Sequence, residues 1–174
     1  SDTLIVDFSD ATVAITNAAL AATAPAAGYA GGIAGYGATD YTGIETFDIT
    51  TGSGADSIFT GDGDDILFGG ANDDNLSAAA GNDLLTGGAG NDRLTGGTGV
   101  DTFIVRSADG TNSTDTITDF TAGTGGDVLD FSDFLEDEEN TGADLANYLN
   151  VSFDTAANSS TITATSESNG TGLD

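Results

Sequence analysis

From Thr51 to Ile104 the chain repeats itself every nine residues, six times without a slip: TGSGADSIF, TGDGDDILF, GGANDDNLS, AAAGNDLLT, GGAGNDRLT and GGTGVDTFI. A unit this short has no core of its own, so it can bury apolar surface only against stacked copies of itself. The sixth position is always Asp (Asp56, Asp65, Asp74, Asp83, Asp92, Asp101), and the eighth is Ile58, Leu67, Leu76, Leu85, Leu94 or Phe103. Positions 1, 2 and 4 are mostly Gly, as consecutive tight turns with positive φ require. Six residues therefore turn and three extend. In the extended triplet the middle residue points opposite to its neighbours, which sends the position-8 column inward. Two nonapeptides make one flattened coil, and coils stack at a strand spacing of about 4.8 Å, so turn n+2 lies over turn n.

That stacking brings the Asp carboxylates together in two columns, which is repulsive unless a cation lies between them. Four steps are complete within the repeats: Asp56 over Asp74, Asp74 over Asp92, Asp65 over Asp83, and Asp83 over Asp101. A hard dication with six to eight oxygen ligands at roughly 2.3–2.6 Å suits carboxylates and turn carbonyls, and calcium fits better than the smaller, strictly octahedral magnesium. Composition points the same way: 29 Asp and Glu against two Arg and no Lys give a formal charge of −27. With only Arg93 and Arg106 as cations, neither nucleic acid nor an anionic membrane finds a basic patch. The absence of Cys and His removes disulfides, thiolate chemistry, the usual zinc sites and His-based catalysis. Acidic composition alone also describes a disordered chain, but the nine-residue register argues for order.

The segment resembles the calcium-binding nonapeptide repeats of the RTX (repeats-in-toxin) family. The resemblance implies an all-β fold, a right-handed parallel β-roll (a β-solenoid) with strand-rich N-terminal and C-terminal caps. It also implies carbonyl ligands from positions 2 and 4 of one turn and 1 and 3 of the turn stacked on it. In the first column these are Gly52 and Gly54 with Gly69 and Ala71, then Gly70 and Asn72 with Gly87 and Ala89, and onward Gly88 and Gly90. In the second they are Gly61 and Gly63 with Ala78 and Ala80, then Ala79 and Gly81 with Gly96 and Thr98. The chain departs from the family at Ala78-Ala79-Ala80, where Gly-Gly is expected, and at Asn72, although Asn tolerates the left-handed region.

Three regions follow. Residues 1–50 form a β lead-in and N-terminal cap, 51–104 the six repeats, and 105–174 a C-terminal cap. In the lead-in, Asp2–Ser9 and Ala11–Thr16 read as strands and Ala18–Gly37 as a loop, while Gly43–Thr50 keeps the nine-residue phase with Ile49 in the position-8 column. Beyond the repeats, Asp115–Phe120 and Asp127–Ser132 resemble the cap that follows such repeats in type I secreted proteins. Asp115 and Asp119 alternate along a strand and are expected to complete a last calcium site over the Asp92 turn. Asp133–Glu139 reads as a solvated charge run, Thr141 as the cap of a short helix presenting Leu145, Tyr148 and Leu149, and Val151–Phe153 with Thr161–Ala164 as a hairpin.

The function these features imply is a calcium-binding module, secreted or at the bacterial cell surface, that folds on extracellular calcium. As part of a larger secreted protein it would work with the type I secretion machinery. About four ions are expected in the repeats, with more in the caps. The alternative is a calcium-stiffened structural segment of an adhesin or surface-layer protein. Catalysis is not expected, since every Asp of the repeat column is committed to metal and no His, Cys or Lys is present. Neither nucleic acid binding nor membrane insertion is expected.

Overall fold

The computed structural model describes residues 2–17, 29–31, 33–34, 41–106, 113–135, 149–154 and 161–166, with side chains at 2–16, 44–106 and 113–133. The extended triplets of alternate repeats fall into two different sheets, as the flattened coil requires. One sheet runs β1 (Thr3–Asp7), β6 (Thr46–Thr50), β8 (Ile66–Ala71), β10 (Leu84–Ala89), β12 (Thr102–Ile104) and β14 (Val128–Asp130), every neighbouring pair parallel. The other contains β7 (Ser57–Phe59), β9 (Asn75–Ser77), β11 (Arg93–Thr95) and β13 (Ser113–Ile117), again parallel, preceded by β2 (Thr16–Asn17) and β4 (Ile33–Ala34). It ends in β16 (Thr161–Ser166) and β15 (Leu149–Asp154), while β3 (Tyr29–Gly31) and β5 (Tyr41–Ile44) pair separately. The chain is a parallel β-roll.

The position-8 columns are the core. Ile49, Leu67, Leu85 and Phe103 stack in the first sheet, and Ile58, Leu76, Leu94 and Ile117 in the second, each at most 1% exposed. Each such side chain contributes roughly 1.5–3 kcal/mol of burial, and only when a neighbouring coil covers it. This is why the slot must be closed at both ends.

At the N-terminal end β1 adds a coil in phase with β6, pairing Val6 with Ile49. The Ala11–Thr16 run is not a strand as expected: Ala11–Ile15 form the corner, and β2 begins only at Thr16. Small residues suit that corner because Gly52 and Gly54 pack directly against the main chain of Ala11 and Ala14. The expected Ala18–Gly37 loop contains β3 and β4, and its other residues lie outside the described ones. At the C-terminal end Phe120 lies over Phe103, with ring centroids 6.2 Å apart, and closes the slot. The expected hairpin is present as β15 and β16, and β16 covers the free edge of β13 by antiparallel pairing. The expected helix falls outside the described residues except at Leu149, which opens a strand instead.

Candidate metal centre

The Asp side chains are placed by the same alternation that buries the core. Position 6 lies two residues before position 8, so both point inward, and all six repeat aspartates are at most 3% exposed. Each carboxylate is tied to the turn before it in its column: Oδ1 of Asp74 accepts the Asp56 amide at 2.7 Å, and Oδ1 of Asp92 accepts that of Asp74 at 2.8 Å. In the second column Asp83 holds the amide of Asp65 at 2.8 Å and Asp101 that of Asp83 at 3.0 Å. The partners are 18 residues apart throughout, which is the expected step of two nonapeptides.

The other oxygen behaves differently. Oδ2 of Asp56, Asp65, Asp74, Asp83, Asp92 and Asp101 is buried and makes no hydrogen bond, although every one of these residues is engaged through Oδ1. An unsatisfied buried carboxylate oxygen is costly, and a ladder of them describes a cation-binding wall. In three of the turns the first residue is a glycine that leaves room for it. A Cβ at Gly69 would strike both Asp74 Oδ2 and the carbonyl of Gly87 in the next turn, and Cβ atoms at Gly87 and Gly96 would strike Oδ2 of Asp92 and Asp101. The carbonyls of Gly52, Ala79, Ala80 and Thr98 each accept one amide from the stacked turn, which leaves each a second lone pair. Asn72 and Ala79, the two departures from glycine, do adopt the left-handed conformation, with φ of 73° and 74°.

Burial dominates the electrostatics of the column. It pushes the Asp74 carboxyl up to about 8, and the charges of Asp92 and Asp56 add to the effect. Asp83 is raised to about 7 and Asp65 to about 6, also by burial first. Without a cation these groups retain protons in the folded chain that a solvated Asp would release.

The columns end differently at the two termini. Ile15 and Phe47 occupy the places where further aspartates would stand: their amides donate to Oδ1 of Asp56 and Asp65, and both side chains are 1% exposed. At the other end the ladder continues past the repeats. Asp115 Oδ1 accepts the Asp92 amide at 3.1 Å, and Asp127 Oδ1 accepts the Asp101 amide at 3.0 Å. Asp115 therefore lies where expected, but Asp119 does not join it. Asp119 accepts the amides of Gly96 and Gly97, in the turn of Asp101, because it lies beyond the end of β13 where the chain has begun to cross to the other sheet. Asp127, which the sequence places in the C-terminal cap without marking it as a metal ligand, lies two residues before Leu129, which pairs with Phe103, and so follows the position-6 and position-8 rule.

The donor set fits calcium: anionic and carbonyl oxygens, buried, stacked and without a competing cationic side chain in the column. Among the described residues no three Asp or Glu side chains gather as a metal group, so each step offers one carboxylate from each of two stacked turns, with main-chain oxygens to complete it. Residues 48–76 and 68–103 match the family model described as RTX calcium-binding nonapeptide repeat (4 copies), about a third of the chain. A comparison with curated proteins finds no match.

Proposed function

With residues 48–103 an RTX calcium-binding repeat region, we propose that the chain is a calcium-dependent folding module that supports type I secretion and extracellular folding of a larger protein. The observation that carries this is the buried ladder of Oδ2 atoms, a set of anionic oxygens that make no hydrogen bond. The steps Asp56/Asp74, Asp74/Asp92, Asp65/Asp83 and Asp83/Asp101 each hold one ion, with Gly69, Gly87 and the other turn carbonyls as further ligands. Bound calcium supplies the positive charge that lets ionised carboxylates stack. The chain's own residues provide the rest: Oδ1 atoms fix the turn spacing, first-position glycines open the cavity, and position-8 side chains drive the coils together.

Coupling follows from that division of labour. At the low calcium of a cytosol the columns repel and the roll does not close, so the chain stays narrow enough for a secretion channel. At roughly millimolar extracellular calcium the sites fill and the fold forms. Residues 1–50 serve as the lead-in cap, 51–104 as the calcium roll and 105–174 as the closing cap, and the module itself performs no catalysis. Among the described residues no helix is long and apolar enough to cross a membrane.

Small-angle scattering tests the coupling. An unfolded 174-residue chain has a radius of gyration of about 44 Å, whereas a compact domain of that length has about 16 Å and an elongated roll somewhat more. The radius should fall from near the first value in EDTA to near the second in calcium. A compact radius in both conditions would rule out the secretion role.

A further inference from the structure

We propose that a divalent cation is also held outside the repeats, at the C-terminal end of the second column, where Asp119 and Asp127 close over Asp101. The inference rests on the reading of the columns as calcium sites and extends it to residues beyond the nonapeptide pattern.

Three observations carry it. Asp101 is 1% exposed, and its buried Oδ2 makes no hydrogen bond. That oxygen lies against Gly96, close enough that a Cβ there would strike it. The same glycine and its neighbour donate their amides to the Asp119 carboxylate, at 3.2 Å from Gly96 to Oδ1 and 2.7 Å from Gly97 to Oδ2. Asp101 and Asp119 thus meet at one residue from two sides.

The comparison with an interior step shows what is different. Gly69 faces Asp74 Oδ2 and the Gly87 carbonyl, a neutral donor from the next turn. At Gly96 the chain offers a carboxylate against the corresponding glycine. Asp127 adds a further charge, fixed by the Asp101 amide at 3.0 Å and the Thr121 amide at 2.7 Å. Of the two arginines, Arg93 is exposed on the outside of β11, and the Arg106 guanidinium lies 5.6 Å from the Phe68 ring centroid. Among the described residues no three Asp or Glu side chains gather as a metal group; the ion takes Asp101 Oδ2 and Asp119 as its anionic ligands. Main-chain oxygens or water complete it, and Asp127 contributes field and position. More anionic charge at a calcium site raises its affinity, so this site should bind at least as tightly as the interior ones.

The test is diffraction from the full chain crystallised in calcium, recorded at a wavelength where calcium scatters anomalously. The inference expects peaks between stacked repeat turns and one more between the 96–101 and 118–127 turns. Peaks in the repeats alone would overturn this inference and leave the module reading intact, and no peaks anywhere would overturn both. In solution, Asp119→Asn keeps an acceptor for one amide and removes the charge, so calcium bound per chain at saturation should fall by one. A count equal to that of the unaltered chain would overturn the assignment.

Discussion

Replacing Asp74 by Asn should make the chain fold more readily without calcium and less readily with it. Asp74 has a carboxylate on each side in its column, Asp56 and Asp92, and both charges help to raise its own pKa. At one strand spacing, about 4.8 Å, two unit charges repel by about 3.5 kcal/mol at an effective dielectric constant near 20. Protonation of the buried carboxyls absorbs part of that repulsion and leaves a net relief of about 1.4 kcal/mol, equivalent to one pH unit. Asn keeps the Oδ1 acceptor that holds the Asp56 amide, so the turn spacing survives. In EDTA, the pH at which β-structure is lost should therefore rise by about one unit relative to the parent. In calcium the sign reverses: one anionic ligand is missing from each of two steps, and the midpoint should move to roughly tenfold higher calcium or more, about 1.4 kcal/mol. Circular dichroism against pH in EDTA, and against calcium at fixed pH, measures both. A variant that is less folded in both conditions would refute the idea that column repulsion opposes the metal-free fold.

Three further outcomes follow. In EDTA the parent chain should gain β-structure on acidification: Asp65, Asp83 and Asp74 have folded values of about 6, 7 and 8 against 3.8, so the stabilisation is fully present below 3.8 and lost as pH rises through those values. A dichroism titration that shows loss of structure on going from pH 8 to pH 5 would contradict this. Ala79→Gly should raise the thermal midpoint in calcium, because relief of left-handed strain at φ 74°, about 1–2 kcal/mol, exceeds the entropy cost of about 0.4–1 kcal/mol; a lowered midpoint would count against it. A chain ending at Val105 loses Phe120, β13 and β14, leaving Phe103 and Leu94 open at the end of the slot, so its calcium titration should be weaker and shallower; an unchanged curve would make the cap decorative.

The repeats were legible because one spacing sets everything in them. Once position 8 points inward, the 18-residue stacking, the burial of Asp74 and Asp83 and the parallel sheets all follow from strand geometry. The ends were harder, since there the spacing changes. The ladder continues from Asp92 to Asp115 over 23 residues and from Asp101 to Asp127 over 26, so a search for period nine passes over Asp127. Alternation alone put Asp119 beside Asp115, but alternation stops when the strand does, and the chain then carries Asp119 to the other column. Ile15 and Phe47 were hidden for another reason. They hold the position of a metal-binding aspartate with an apolar side chain, and nothing in residue type signals that exchange until β1 and β6 are seen in register.

The most direct test of the account is a single calcium titration of the intact chain at neutral pH, with bound ions and far-ultraviolet circular dichroism followed in the same samples. The account predicts little β-structure in EDTA and a β-signal that grows in step with ions bound, complete by about 5–10 mM calcium as expected for weak extracellular sites. A full β-signal in EDTA, or saturation with calcium that leaves the spectrum unchanged, would contradict it.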